Sequence, residues 1–393
     1  MSTLTQWMLG MLFFALAFSF TQVKATHGMG ADITWVCTGN GRYVITLKFF
    51  RDCGGVSPFN SYSMTYSSAS CGVSSSITLN QQGGAVDITP LCVSQPSSCN
   101  GGGGPFGVEQ WTYTGVLQLP VGCGNDWQLG WTECCRNNAI TTLNGPGNQN
   151  IFVNATLNNT LTPCNNSPVF NNAPTPVVCN NQPVTYSHGV TDPDGDSLVF
   201  SLVNCLQSAS TSVVYGGGYS GVSPLSTVSG VSINAQTGVI TFTPNALQIG
   251  VMCVRVDEYR NGVLIGRTVR DMQFRVINCS NNPPVVSGIN GSGVYTVTTC
   301  VGTNLCFTFN GSDPNSNNVL LTWNNGIPAA SMNFASNNTT APVGTFCWTP
   351  TLADVGFNSF TVTARQRLPD QWCELLLLHC ERSWNCQYRQ CRY

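Results

Sequence analysis

Charge is what this chain most conspicuously lacks. Asp, Glu, Lys and Arg make up 8% of 393 residues and lysine occurs only at Lys24 and Lys48, so no basic face exists to neutralise phosphates. Nucleic acid is therefore not an expected partner. Histidine is scarcer still: His27, His188 and His379 stand without a nucleophile elbow, a zincin motif or a Ser/His/Asp arrangement, and no enzyme activity and no catalytic residue is expected. His188 reads as a turn or core residue. Helical periodicity is missing too, because clusters of Gly, Asn, Ser and Pro interrupt the chain throughout. After residues 8–20 no apolar stretch is long enough to serve as a membrane anchor.

Cysteine, by contrast, is plentiful. Residues 8–20 form an apolar run of signal-peptide length and Val23-Lys24-Ala25 offers small residues for cleavage, so residues 1–25 read as a signal peptide. Twenty cysteines behind an export signal predict a disulfide framework in an oxidising compartment. The candidates for bridges are Cys37, Cys53, Cys179, Cys205, Cys253, Cys279, Cys300, Cys306 and Cys347. None of the tight groupings has zinc-ligand spacing, and the adjacent Cys134 and Cys135 are expected to pair with different partners. Gly101 to Gly104 lacks the lysine and helix of a phosphate cradle and reads as a tight loop.

The chain repeats itself. Asp192-Pro-Asp-Gly-Asp196 opens into Leu198-Val-Phe-Ser-Leu202, and Asp313-Pro-Asn-Ser-Asn317 opens into Val319-Leu-Leu-Thr-Trp323. Downstream, Ile240-Thr-Phe-Thr-Pro244 matches Phe346-Cys-Trp-Thr-Pro350. Two tandem immunoglobulin-like or cadherin-like sandwiches are predicted, residues 166–279 and an incomplete second copy at 280–365, with a Gly/Ser-rich insertion at 208–230 looping out of the first. Before them, residues 26–165 alternate apolar and polar side chains around an Asn40-Gly41 turn and predict a Cys-rich β domain. The whole is an all-β chain. Residues 366–393 lose the strand pattern. A one-base shift on back-translation restores an Asn-Gly turn and an alternating strand, so the tail reads as a frameshift, which would leave the second sandwich with an open edge.

Alternating carboxylates in a tight loop can converge on a hard cation, which makes Asp192, Asp194 and Asp196 candidate calcium ligands, joined by Asp257 or its neighbour Glu258. An EF-hand is excluded, because Ser197 and Val203 occupy the positions that would need Gly and Glu. The competing reading is an Asx turn capped by Asp192, with Gly195 supplying a positive φ. Trp111, Trp127 and Trp131 could make a sugar-stacking platform, but strand alternation favours the core.

Taken in order, Ser167-Pro-Val-Phe170, Gln182-Pro-Val-Thr-Tyr186-Ser-His188, the acidic loop, Glu258-Tyr-Arg260-Asn-Gly, Phe49-Phe-Arg-Asp-Cys53 and Glu133-Cys-Cys-Arg-Asn137 resemble secreted multi-module surface proteins of gliding Bacteroidota. The resemblance implies export by type IX secretion, a cell-surface or extracellular address, and a protein or glycan ligand. The sorting domain of such proteins is not found in this sequence, which implies a periplasmic address if truncation removed it. The expected function is a non-catalytic adhesin or structural protein, with a carbohydrate-binding protein of a polysaccharide-handling system as the alternative.

Overall fold

The computed structural model describes residues 27–89, 97–100, 106–174, 177–279, 282, 284–367 and 380–388. The signal segment, the Gly101 to Gly104 loop and His379 lie outside these residues. The described chain is all-β, and among its residues no helix is long and apolar enough to cross a membrane.

Alternation in the sequence becomes a hairpin at once. Gly28–Gly39 and Arg42–Asp52 pair antiparallel around Asn40 and Gly41, whose φ values of 53° and 71° suit the primed turn that matches strand twist. The inward residues Ile33, Trp35, Ile45, Leu47 and Phe49 are fully buried. From this hairpin the pairing runs through Val108–Gln118, Val73–Gln81, Ser61–Ser68, Trp127–Glu133 and Ile151–Leu157. The next partner comes from far along the chain: Val263–Ile277 gives one edge to Gln248–Arg260 and with the other bridges the two end strands, Ile151–Leu157 first, Thr268 opposite Ala155, and then the first strand, Ala31 opposite Asp271. The ring is closed. A closed barrel has no sheet edge left to cap, and its interior is filled by side chains, including Trp35, Tyr113, Trp127 and Trp131.

That closing strand also belongs to the first sandwich. It forms a long hairpin with Gln248–Arg260, turning at Asn261 and Gly262, and Ser197–Val203 and Val177–Cys179 extend the sheet. A smaller sheet of Val184–Tyr186, Ile240–Phe242 and Ser232–Ile233 covers its apolar face, enclosing Phe200, Val254, Met272 and Phe274. The expected boundary near residue 165 is therefore no break in the fold: barrel and sandwich share a strand too long for either alone. The insertion at 208–230 does not loop freely either, since Val213 and Leu225 are buried.

Two ion pairs pin the joint. Arg136 meets both carboxylate oxygens of Asp271, at 3.0 and 2.5 Å, and Arg270 reaches Asp32 at 2.9 Å, with all four side chains out of contact with water. Gly30 is required there, because a Cβ would overlap the Asp271 carbonyl. The second sandwich is a separate pair of four-stranded sheets around Phe309, Leu321, Phe346 and Phe360. It touches the first through Asn172 Nδ2 donating to Thr361 Oγ1 at 3.2 Å and Ser359 Oγ donating to the Val190 carbonyl at 3.4 Å.

Two expectations are corrected here. The tail does supply a strand, Cys380–Tyr388, placed between Thr296–Thr299 and Phe357–Arg367, so the predicted open edge is covered; ladder pairing depends on the backbone and tolerates a sequence without alternation. Cys134 and Cys135 pair with each other, across a cis peptide bond. Elsewhere the framework is Cys37–Cys164, Cys53–Cys99, Cys71–Cys123, Cys179–Cys279, Cys205–Cys253 and Cys306–Cys347, and Cys300 is disulfide-bonded as well.

Candidate functional site

The acidic loop sits where the barrel, the first sandwich and the segment between them meet. Asp192 organises it: its Oδ1 accepts the backbone N–H of Asp194 at 2.9 Å and of Asp196 at 3.0 Å. Asp313 does the same in the second sandwich, accepting from Asn315 at 2.8 Å and Asn317 at 3.1 Å. The recurring first acid is thus a turn former in both copies, an Asx turn as the sequence allowed.

The other acids of the first copy have separate tasks. Asp194 turns outward and accepts from the Asn166 backbone and side chain, at 2.8 and 2.6 Å. Asp196 takes Arg260 in a two-point contact, Nε to Oδ1 at 2.7 Å and Nη2 to Oδ2 at 2.6 Å, while the same Nη2 reaches Asp194 at 3.2 Å. Asp257 is not part of this group. Strand register sets Asp257 opposite Val199 and Glu258 opposite Leu198, so the two acids face opposite ways, and Asp257 is held by Arg267 at 2.5 Å and Arg255 at 3.1 Å. Glu258 is the one that joins Asp192 and Asp196, ligand oxygens of the three lying within 4.8 Å of one another.

Burial shapes their protonation. Glu258 is pushed up to about 9 by loss of water, with the Asp192 charge adding to it. Burial also raises Asp192 to about 6, against the pull of the Asp196 N–H. Asn165, from the segment between barrel and sandwich, donates to Glu258 Oε1 at 2.7 Å, accepts from Arg260 at 2.6 Å, and receives Trp35 Nε1 on its carbonyl at 3.1 Å. Neither Asn165 nor Asn166 was legible as a site residue. Strand parity, by contrast, could have separated Glu258 from Asp257, because neighbours on a strand cannot share a face.

Two other sequence candidates fall to the core. Trp127 and Trp131 are buried inside the barrel, and Trp111 is half-buried with its Nε1 on Glu109 at 2.6 Å, so no exposed aromatic row exists among them. His188 is buried between Tyr186 and Phe170, beside Arg270, and loss of water holds it well below the usual histidine range. At one end of the barrel Glu133 is lifted by burial to about 7, with a hydrogen bond to Tyr62 pulling the other way.

No family model matches the chain, and no curated protein matches it. Among solved structures it is similar to an endo-fucoidan hydrolase of glycoside hydrolase family 107, at 13% identity over 81% of this chain and 39% of that one, TM-score 0.21. It is also similar to Dpr2 Ig1–Ig2 in complex with DIP-Theta Ig1–Ig3, at 11% identity over 57% and 99%, TM-score 0.21. A third likeness is to domains 4 and 5 of the S-layer protein SbsC, at 11% identity over 49% and 97%, TM-score 0.17. At these scores no argument about activity or ligand follows, and the chain spans less than half the length of the hydrolase.

Proposed function

We propose that this chain is a non-catalytic secreted or cell-surface protein of adhesin or structural type. The observation that carries the reading is the joint between barrel and sandwich: a shared strand and two ion pairs sealed from water commit scarce charge to rigidity. Disulfides within both regions add to it and suit an oxidising, extracytoplasmic location. A stiff crosslinked body followed by a second sandwich spaces a contact surface away from its point of attachment. Delivery by type IX secretion rests on the resemblance in sequence.

The carbohydrate-binding alternative loses its tryptophan platform and is left with the exposed Phe59 and half-buried Trp111 at the barrel surface. One set of experiments addresses both. Cells deleted for the gene should attach to surfaces less well than the parent, and added purified chain should compete with parental attachment. Unchanged attachment, with the chain found only inside the cell, overturns the proposal. Selective signals on a glycan array, lost in Phe59→Ala, would favour the alternative.

A further inference from the structure

The oxygens of the acidic group are not all partnered. Arg260 is engaged on the outer side, spanning Asp194 and Asp196. Asp192 Oδ1 is used by the turn backbone and Glu258 Oε1 by Asn165. Asp192 Oδ2 and Glu258 Oε2 remain, both sealed from solvent and neither with a hydrogen-bond donor, and the Glu258 side chain belongs to a residue with 0% exposure. Carboxylate oxygens this close in a dry place repel one another unless a proton or a cation lies between them. Gly266 stands opposite Glu258 on the neighbouring strand, where a Cβ would overlap Glu258 Oε2, so the absence of a side chain keeps that oxygen's space open.

We propose that Asp192, Asp196 and Glu258 bind a divalent cation of the calcium type, which clamps the barrel to the first sandwich. The donor set is made entirely of carboxylate oxygen, the chemistry of a hard ion, and Asp192 and Asp196 are half-buried, which leaves one side of the site for water ligands. The clamp reaches the barrel through Asn165, which touches Glu258 with its side chain and Trp35 with its carbonyl. Asp257 and Asp194 take no part. The inference stands independently of the adhesin reading.

The test uses the mature chain purified with its disulfides intact, stripped with EDTA and examined at fixed pH and ionic strength. Millimolar calcium should raise the first unfolding midpoint by roughly 5 °C or more, and magnesium by less. Asp192→Asn and Glu258→Gln should each weaken calcium binding by roughly tenfold or more in calorimetry. Glu258→Gln should also unfold no earlier than the wild type in EDTA, since an amide there needs neither a proton nor a cation to be neutral, whereas Asp313→Asn in the second sandwich should keep the full calcium response. Terbium luminescence sensitised by Trp35 in the unmutated chain, displaced by calcium, serves if a variant fails to fold. A wild-type chain indifferent to calcium and dark with terbium overturns the site, as does an unaltered calcium response in Glu258→Gln.

Discussion

The two sandwiches are built from the same sequence elements and end up in different structural situations. Both contain an Asx turn in which an aspartate gathers two backbone N–H groups, and both bury the proline that follows a core strand, Pro244 and Pro350. The second keeps its strands to itself, in two four-stranded sheets. The first sends a strand of 15 residues beyond its own core to complete the barrel. One module keeps to its own sheets and only touches its neighbour; the other is half of a larger body. A repeat in sequence therefore does not imply a repeat in mechanical role, because the length of one hairpin decides whether the module stands alone.

The comparison can be broken in several ways, most severely by cutting. A fragment of residues 27–165 lacks the closing strand and should show no cooperative unfolding by circular dichroism, whereas 27–279 should. A cooperative transition in the short fragment would show that the barrel does not need its neighbour. Next in size is Arg136→Ala, which strands Asp271 in a dry joint and should cost about 3 to 5 kcal/mol in urea denaturation of the barrel and first sandwich. The transition of the second sandwich should stay where it is; if it moves by as much, the independence argued above fails. Asp313→Ala removes the acceptor of two backbone N–H groups and should lower the second transition alone, by about 1 kcal/mol.

The smallest effect is a pH dependence that belongs to the barrel. Burial lifts the Glu133 carboxyl from 4.5 to about 7, so the folded state holds its proton while the unfolded state releases it. Stability from this group is full below about 4.5 and declines as pH rises towards 7. Glu133→Gln should flatten that decline, seen as a narrowing gap between the two midpoints on going from pH 7 to pH 4.5. A gap that does not change with pH would place Glu133 in contact with water.

Local features were readable along the chain for a physical reason. Alternation specified the opening hairpin, and the Asn-Gly pairs at 40–41 and 261–262 specified the turns, since each depends on residues adjacent in sequence. The cysteine candidates all form disulfides, yet the neighbours Cys134 and Cys135 join each other, against expectation. The acidic loop was visible as a cluster, but its membership was not: Asp257 and Glu258 look equivalent on paper and face opposite ways on the strand.

By itself, then, the order of residues determined an all-β chain, its turns, its repeated Asx motif and its oxidised sulfurs, because these follow from short-range backbone preference and composition. The tertiary structure alone decided that Val263–Ile277 closes a barrel begun by Gly28–Gly39, that Arg136 and Arg270 are spent on Asp271 and Asp32, and that Glu258 meets Asp192. Those contacts join residues tens to hundreds of positions apart, and burial of charge takes its meaning from what lies on the other side of the joint.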